Sequence, residues 1–395
     1  METQNPFRPG AGHPPPYLAG RSREQAEFKK LLSQTTVLQN LVLTGLRGLG
    51  KTVLLDTFKP LALSEGWLWA GADLSEAASV SEETLALRLL TDLSVITAST
   101  PLAEGEIQGI GFGVEAKKVT QFLTFNVLRS IYEQQPGLTA DKLKALLLFV
   151  HEHVGKKIIF AYDEAQNMAD HAAKEQYPLS LLLDVFQSIQ KQGVPFMLVL
   201  TGLPTLFPKL VEARTFAERM FRVVFLDRLT EPESREAITQ PLKRGTVRLT
   251  EQSIDAVIKL SAGYPYFLQF ICREVFDVFL QQLSRGGQPA PVPLAEITQK
   301  LDTDFFAGRW AKLTDRQREL VACISALDSE GEEFSVQEIV ETSSARLEKG
   351  FSASHANQML AALANAGLVY KNRHGKYSFA VPLFGGFVRR QRLFE

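Results

Sequence analysis

The chain has 395 residues, of which 45% are hydrophobic and 22% charged, and its formal net charge is -1 at pH 7. This length predicts two or three domains, because one hydrophobic core rarely serves more than about 250–300 residues. The near-zero charge excludes a global field that would attract nucleic acid or an anionic membrane, so any such binding needs a local patch. No apolar run approaches the roughly twenty residues that span a bilayer, so no membrane association is expected.

Cysteine usage and the N-terminus indicate the compartment. Cys272 and Cys323 both lie in apolar helical patterns, which predicts buried, reduced thiols. The first residues lack the basic-then-apolar pattern of a signal peptide. We therefore expect a cytoplasmic protein.

The chain begins with an arm, residues 1–20, that has no hydrophobic periodicity and is stiffened by prolines. Two alternatives are open for it: a disordered leader, or a segment that docks on a core through Phe7, Tyr17 and Leu18. A helix is predicted over 22–32.

Residues 41–55, LVLTGLRGLGKTVLL, are the centre of the sequence. An apolar strand stops at a glycine loop with the spacing G-x-x-x-x-G-K-T, and a helix follows. Glycines let the loop backbone approach an anion closely, and the start of the helix adds its positive dipole end. Lys51 can then reach the β- and γ-phosphates of a nucleotide, and the Thr52 hydroxyl can bind magnesium. The predicted nucleoside triphosphate site comprises Gly45, Leu46, Arg47, Gly48, Leu49, Gly50, Lys51, Thr52 and Val53.

The next segments are a strand over 66–72, a helix over 82–94 and an insert over 100–118. In the insert, Gly109, Gly111 and Gly113 alternate with apolar residues, which favours a hairpin. A dinucleotide site would need a strand before these glycines and a helix after them, and neither is predicted. Helices are predicted over 122–132 and 140–153.

The second chemical landmark is the apolar run 158–162, which ends in Asp163 and Glu164. A continuous apolar run is typical of a central parallel strand that is covered on both faces. Functional groups collect at the carboxyl ends of such strands. We therefore predict that Asp163 holds magnesium and that Glu164 orients or deprotonates the attacking water.

A further buried strand over 194–201 ends at Thr201. This hydroxyl could contact the γ-phosphate or the lytic water, or it could merely cap the turn, and both alternatives are open. Four arginines follow, and any of them could contact phosphate, because arginine is suited to bidentate phosphate binding: Arg214, Arg219, Arg222 and Arg228.

Beyond residue 230 the pattern is helical, over 232–242, 250–262 and 265–283. Residues 284–293 form a Pro/Gly-rich linker. Helices over 294–310, 314–327, 335–342 and 352–365 precede a hairpin over 368–381, and three helices before a hairpin is the plan of a winged helix. The predicted organisation is an arm (1–20), an ATPase core (21–230), a helical lid (231–283), a linker (284–293) and a winged-helix domain (294–395).

With these segments placed, the chain resembles the AAA+ ATPases of the origin-recognition and replication-initiator type. More specifically, it is similar to their bacterial Orc-like branch, which is related to the STAND signalling ATPases. The resemblance extends over nearly the whole chain, and these segments carry it: NPFRPGAGHPPPYLAGR, GLRGLGKT, IIFAYDEAQ, LVLTGLPTL, ARTFAERMFR, GYPYFLQ and GLVYKNRHGKYSFAVPLF.

The resemblance implies an α/β fold of the AAA+ P-loop type, with a parallel sheet, a helical lid and a winged helix. It implies that Gly20 and Arg21 line the adenine pocket, that Thr201 is a sensor, and that Arg219 or Arg222 acts toward a nucleotide. In STAND proteins, the turn that corresponds to Gly263, Tyr264 and Pro265 contacts the β-phosphate from the lid, so the resemblance implies this role for Tyr264 and Pro265. The initiator relatives carry a lid arginine, for which this chain offers only the more distant Arg273, and this departure favours slow hydrolysis.

The predicted winged helix leaves two alternatives for the partner. Its third helix contains no lysine or arginine, whereas its hairpin carries Lys371, Arg373 and Lys376. These three could give weak DNA contact within an ATP-dependent assembly. Alternatively, the domain packs on the ATPase or on a protein partner and reports the nucleotide state.

The sequence thus predicts an ATPase that uses ATP and Mg²⁺ to drive a conformational switch or the assembly of copies of itself. A different class is also open: a regulatory switch with little hydrolysis whose winged helix binds protein.

Overall fold

The computed structural model describes residues 4–10, 12–71, 73–107, 117–243, 247–284, 292–327, 333–373 and 375–391. Within these residues the strands are β1 (Asn40–Thr44), β2 (Leu68–Ala70), β3 (Pro101–Ile107), β4 (Lys117–Phe122), β5 (Ile158–Tyr162), β6 (Phe196–Gly202), β7 (Phe221–Phe225), β8 (Phe334–Ser335), β9 (Val369–Arg373) and β10 (Lys376–Phe379).

The α-helices of the same residues are α1 (Ser22–Leu32), α2 (Lys51–Ser64), α3 (Glu82–Thr97), α4 (Phe125–Gln134), α5 (Thr139–Val154), α6 (Pro178–Lys191), α7 (Leu206–Ala213), α8 (Ala217–Met220), α9 (Glu231–Leu242), α10 (Glu251–Ser261), α11 (Pro265–Ser284), α12 (Leu294–Leu301), α13 (Gly308–Ala311), α14 (Asp315–Ala326), α15 (Val336–Arg346), α16 (Ala353–Asn365) and α17 (Phe384–Arg390). Three short 3₁₀ segments (Glu76–Ser79, Ala165–Asn167 and Ala172–Lys174) and one π-helical segment (Asp302–Ala307) complete them.

The chain divides into two compact units. One, here called the sheet unit, comprises Ser22–Thr44 and Leu54–Phe225. The other, here called the loop unit, comprises Met1–Arg21, Gly45–Val53 and Leu226–Glu395. The predicted strand–loop–helix stretch is thus shared between them, because the glycine loop groups with the C-terminal half of the chain.

The sheet unit is built on a parallel five-stranded sheet of order β2-β5-β6-β1-β7. Every residue of β1, β5 and β6 is buried. Their continuous apolar runs are what a central strand covered by helices on both faces requires. Because the strands are parallel, the carboxyl ends of β1, β5 and β6 lie at one edge of the sheet.

Tyr162, the last residue of β5, links the end of this strand to α3. Its hydroxyl donates to Asp92 of α3 at 3.0 Å, and Asp92 also pairs with Arg88 at 2.8 Å. Burial, and then the charge of Asp92, raise the pKa of Tyr162 far above its usual value, so the phenol remains protonated and keeps donating. This bond holds the residue that directly precedes Asp163.

The strand predicted over 66–72 is shorter in the structure, where β2 has three residues. Gly66 and Gly71 bound it, and both have a positive φ, of 78° and 123°. A Cβ at Gly71 would lie 1.9 Å from the carbonyl oxygen of Ala161, so only glycine fits where the chain leaves the sheet. The predicted hairpin is present as the antiparallel pair of β3 and β4, whereas Gly109, Gly111 and Gly113 lie outside the described residues.

In the loop unit, helices α9, α10 and α11 match the predicted lid helices to within two residues at each end. Farther along the chain, α14, α15 and α16 precede an antiparallel sheet of order β8-β10-β9. Thr314 caps α14, as its hydroxyl accepts from the amide of Gln317. The predicted linker falls largely on residues 285–291, which lie outside the described residues.

One predicted helix, 294–310, is divided in the structure. It consists of α12, the π-helical segment Asp302–Ala307 and α13. The wider turn buries Phe306 completely against Phe384 and Phe387 of α17, with ring centroids 6.0 and 5.3 Å apart. Such π-helical turns are uncommon inside helices and are often found at functional positions.

Cys272 and Cys323 are both buried free thiols, as predicted. Burial raises the pKa of each thiol, so neither is a reactive thiolate near neutral pH. Within the described ranges, no helix combines the length and the apolar character needed to cross a bilayer.

Candidate nucleotide-binding and active site

The glycine loop follows β1 directly and ends at Lys51, where α2 begins. Gly48 and Gly50 have φ values of 79° and 84°, which L side chains rarely adopt. Gly45 is required for a different reason, since a Cβ there would lie 2.9 Å from the carbonyl oxygen of Leu226. Leu49 is buried and anchors the loop. The loop therefore presents main-chain amides next to a helix N-terminus, which is the arrangement of an anion site.

The Lys51 ammonium lies within the loop. Its Nζ donates to the carbonyl oxygens of Gly45 at 2.9 Å and of Leu46 at 3.0 Å. The side chain thus returns over the same loop whose amides would hold an anion. Thr52 and Val53 follow in the first turn of α2, and both are half-buried.

Arg21 joins the N-terminal arm to the loop. It is buried, and its Nη2 donates to the carbonyl oxygens of Leu49 and Asp227, both at 3.0 Å. Gly20 has a φ of 63°, and a Cβ there would lie 2.6 Å from the Glu233 carboxylate carbon. Arg21 is therefore bonded to the loop through Leu49, whereas Gly20 lies close to Glu233. Their expected place beside an adenine ring stays a prediction.

The turn that contains Tyr264 and Pro265 also meets the loop. Gly263 has a φ of 75°, and its carbonyl accepts from the Leu229 amide at 2.8 Å. Tyr264 is buried, and α11 starts at Pro265. The Tyr266 amide then donates to the carbonyl oxygen of Gly48 at 3.1 Å. The first turn of α11 is thus bonded to the phosphate loop through main-chain atoms.

The arm packs along α11, so residues 4–10 dock on a core and are not a disordered leader. Phe7 is buried and lies edge-on to Phe276, with ring centroids 6.5 Å apart. The Asn5 amide donates to the carbonyl oxygen of Arg273 at 2.9 Å and to the Asp277 carboxylate at 2.8 Å. Phe7 therefore docks as expected, whereas Tyr17 remains more than one third exposed.

In the sheet unit, Asp163 and Thr201 meet at the carboxyl ends of β5 and β6. Both are buried, and the Thr201 hydroxyl donates to Oδ1 of Asp163. The Glu164 amide donates to the same oxygen at 2.8 Å. Two donors therefore fix the Asp163 carboxylate. Thr201 acts here on an aspartate, and its predicted contact with a γ-phosphate stays a prediction.

Glu164 differs from its neighbour in exposure and in backbone conformation. It is exposed, and its φ of 51° places it in the left-handed region. Its carboxylate accepts a hydrogen bond from Gln166. A non-glycine residue in this conformation costs free energy, and such residues cluster at functional sites. The glutamate is thus open to solvent, whereas the neighbouring Asp163 is buried.

Two further carboxylates, which the sequence did not predict, lie near Asp163. Asp73 forms a parallel bridge with Asp163, and the Leu74 amide donates to the Asp163 carbonyl at 3.0 Å. Burial, and then the charges of Asp163 and Asp73, raise the pKa of Asp56. Asp56 could have been found from its position four residues after Thr52 on one helix, since such residues share a face. No sequence signal marks Asp73.

The carboxylate oxygens around Asp163 fit magnesium better than a metal that is coordinated entirely by protein side chains. Within the residues that the structure describes, no three His, Cys, Asp or Glu side chains come close enough to hold a metal by themselves. Magnesium usually binds one or two carboxylates, and it keeps several of its waters. Buried Asp163, with the negative charges of Asp56 and Asp73 nearby, suits that chemistry.

The arginines differ in their partners. Arg214 makes two hydrogen bonds to the Asp184 carboxylate, at 2.8 and 2.7 Å. Arg222 lies on β7 and pairs with Glu27 at 3.0 Å. Arg219 is exposed on the short helix α8. Which of Arg219 and Arg222 faces a nucleotide stays a prediction, and Arg222 would first have to leave Glu27.

We expect Thr201→Val to lower the free energy of unfolding by about 1–3 kcal/mol, because the buried Asp163 carboxylate loses a donor. Urea unfolding of the intact protein measures this. Thr44→Val is the matched control, because Thr44 is also buried at a strand end but its hydroxyl has no hydrogen-bond partner among the described residues. Equal losses in the two variants would contradict a specific role for the Thr201 hydroxyl.

Comparisons with known proteins bear on the fold. Residues 303–388 match a family described as a domain of unknown function (DUF8462). No protein of curated function matches the sequence. The Walker-type ATPase PABY2304 of Pyrococcus abyssi is similar in structure, with a TM-score of 0.58 and 16% identity, over 94% of this chain and 96% of that one.

Two structures of the ORC2 protein of Aeropyrum pernix are also similar, each over 97% of both chains. The ADP form gives a TM-score of 0.55 at 16% identity, and the ADPNP-ADP complex gives 0.53 at 14%. The chain has the fold of these ATPases. The predicted α/β fold with a parallel sheet, and the predicted structural resemblance to such proteins, are thereby confirmed, and identities this low establish the fold alone.

Proposed function

We propose that the protein binds ATP with Mg²⁺ at the glycine loop and hydrolyses it slowly. The observation that carries this proposal is the loop itself: left-handed glycines after a buried parallel strand, a helix that starts at Lys51, and the lysine ammonium bonded over the loop carbonyls. The nucleotides named for the Aeropyrum pernix structures, ADP and ADPNP, support the same ligand class.

In this proposal the phosphates bind to the loop amides and to Lys51. Thr52 and Asp163 would hold magnesium, which screens the negative charge that develops on the phosphates. Glu164 accepts the proton of the attacking water, since its exposed carboxylate directly follows the buried Asp163. Thr201 fixes Asp163, and Arg219 or Arg222 contacts the γ-phosphate within one subunit or across a subunit boundary.

Titration calorimetry with MgATP tests the proposal directly. The intact protein should release or absorb heat on binding, and the Lys51→Ala variant should not. A wild-type protein that gives no heat and no thermal stabilisation with MgATP would overturn the proposal.

We further propose that the nucleotide drives a conformational switch or an assembly. Support comes from the loop unit, where the arm, the start of α11 and the phosphate loop are joined by hydrogen bonds. A nucleotide that changes the loop would change these bonds. The molecular mass of the protein with and without ATP distinguishes assembly from a switch within one molecule.

For the C-terminal domain, which we assign as a winged helix, DNA contact is the first candidate. Its α16 exposes Ser354, His355, Asn357 and Gln358. These polar side chains could touch bases but could not neutralise phosphates. The charge would have to come from the strands β9 and β10.

Protein binding is the second candidate, and the ion pairs of the hairpin favour it. Arg373 pairs with Glu333 at 2.6 Å, and Lys376 pairs with Glu338 at 3.2 Å. Of the three predicted DNA-contacting residues, two therefore already have a carboxylate partner, and only Lys371 is exposed without an ion pair to a described residue. A hairpin whose positive charges are mostly paired with carboxylates is better suited to contact a protein surface than DNA phosphates.

If DNA binds, we expect the slope of log affinity against log salt to be no steeper than about -2, because each phosphate contact contributes about -0.9. Lys371→Ala should reduce the slope by about one unit, and Lys191→Ala, which changes an exposed lysine on α6, should leave it unchanged. Fluorescence anisotropy with a labelled duplex measures the slope. A slope of -5 would contradict the conclusion that ion pairs neutralise most of the positive charge of the β9–β10 hairpin. A slope of zero would eliminate DNA binding through this hairpin.

A further inference from the structure

Arg309, on α13 of the loop unit, holds an unusual position. Its guanidinium stacks on the ring of Phe305, with Cζ 4.4 Å from the centroid, and it donates to the Phe305 carbonyl. Phe305 belongs to the π-helical segment Asp302–Ala307. Stacking and hydrogen bonding together fix the half-buried side chain of Arg309 in one direction.

A short chain of contacts connects Arg309 to the phosphate loop. The rings of Phe305 and Tyr266 lie 5.2 Å apart. The Tyr266 amide is bonded to Gly48 of the loop. Arg47 precedes Gly48, and its Nη2 would be 3.4 Å from a Cβ placed on Gly367. The loop therefore meets α13 on one side and the turn after α16 on the other.

The two arginines repel each other. Burial, and then the positive charge of Arg47, lower the pKa of the Arg309 guanidinium. In the described part of the chain, neither guanidinium forms an ion pair with a carboxylate. Arg47 is exposed and Arg309 half-buried, so a bound anion at the loop would reduce the repulsion between two guanidinium groups that have no paired carboxylate among the described residues.

Arg318 on α14 shows the ordinary alternative. It also stacks on an aromatic ring, that of Trp310, at 5.6 Å from the centroid. In contrast to Arg309, it pairs with a carboxylate, that of Asp315, at 3.1 Å. Arg318 is thus neutralised by a carboxylate, whereas Arg309 stacks on its ring with no ion pair to a described residue.

We propose that Arg309, together with Arg47, contacts the phosphate groups of a nucleoside triphosphate bound at the loop. The C-terminal part of the chain then supplies a phosphate-binding residue in cis, through the π-helical segment that presents it. This inference rests on the proposed function, because it requires a nucleotide at the loop. It assigns to Arg309 the neutralisation of phosphate charge, with no part in the proton transfer.

The test compares the affinity for the slowly hydrolysed analogue ATPγS with Mg²⁺ among single variants of the full chain. Arg309→Gln should weaken binding about tenfold, the loss typical of one charge-assisted hydrogen bond. Arg309→Lys keeps the charge and should recover part of this loss. Arg318→Gln, which removes a stacked but neutralised arginine, should stay within about twofold of the wild type.

The thermal unfolding midpoint of the nucleotide-free protein distinguishes a phosphate-binding role of Arg309 from a purely structural one, because the two roles predict shifts in opposite directions. If Arg309 awaits an anion, Arg309→Gln removes repulsion from Arg47, and the midpoint of the nucleotide-free protein should stay equal or rise. A structural role for the stack on Phe305 would lower it.

Two results would overturn the inference: ATPγS affinity of Arg309→Gln within twofold of the wild type, or a loss that Arg318→Gln shares. The outcomes also separate the two proposals. If the wild type binds ATPγS and Arg309→Gln binds equally well, only the inference fails. If the wild type binds no nucleotide, the proposed function fails as well.

Discussion

Lys51→Ala should abolish measurable ATP binding, with a loss of at least about a hundredfold in affinity, because a hydrogen bond to a charged group contributes about 1.5–3 kcal/mol and the ammonium can make more than one. In the structure this ammonium donates to the carbonyl oxygens of Gly45 and Leu46, so it already lies within the loop. An alanine removes these bonds but keeps Gly48 and Gly50, whose φ values the loop requires. Calorimetric titration with MgATP measures the loss.

The matched control is Lys59→Ala. Lys59 is an exposed lysine on the same helix α2, two turns beyond the loop. It should bind MgATP as the wild type does, and both variants should unfold at temperatures near that of the wild type. Retained ATP binding by Lys51→Ala would show that the nucleotide, if it binds, is held elsewhere.

Glu164→Gln should keep ATP binding within about twofold while hydrolysis falls about 10²–10⁴-fold, the usual contribution of a general base. The amide keeps the size of the side chain and its capacity to accept a bond from Gln166, but it cannot take a proton from water. Steady-state phosphate release, together with the calorimetric affinity, separates the two effects.

Glu175→Gln controls for the unusual backbone of this position. Glu175 is also an exposed glutamate with a left-handed φ, of 54° against 51° for Glu164. It should hydrolyse ATP at the wild-type rate. If Glu164→Gln did so too, its assignment as the base would be wrong, although the binding proposal would stand.

The central sheet could be predicted because burial on both faces leaves a simple mark in the sequence. The apolar runs that became β1, β5 and β6 are continuous, and the polar residues after them fall at one sheet edge. The loop glycines were equally visible, since L side chains rarely adopt the φ values of Gly48 and Gly50. Burial of a whole strand and the backbone conformation of a glycine each restrict the residue type at their own positions, so both can be predicted from the local sequence.

Other features depend on residues far apart in the chain. Asp73 joins Asp163 through a strand bridge, and Asn5 joins Asp277 across 272 positions. The pairing of Arg373 with Glu333 spans 40 positions. The hydrophobic periodicity of the sequence carries no information about contacts between residues so far apart in the chain. The π-helical turn was missed for another reason, because one extra residue per turn barely changes the apolar pattern of a helix.

The bond between the Tyr266 amide and the Gly48 carbonyl has a consequence for genetics. Both atoms are main-chain atoms, so an alanine scan of the two segments leaves this contact intact and would score it as unimportant. Substitutions of the side chain at position 266 can accumulate without removing this main-chain hydrogen bond. Only proline, which the first turn of a helix tolerates, removes the donor there.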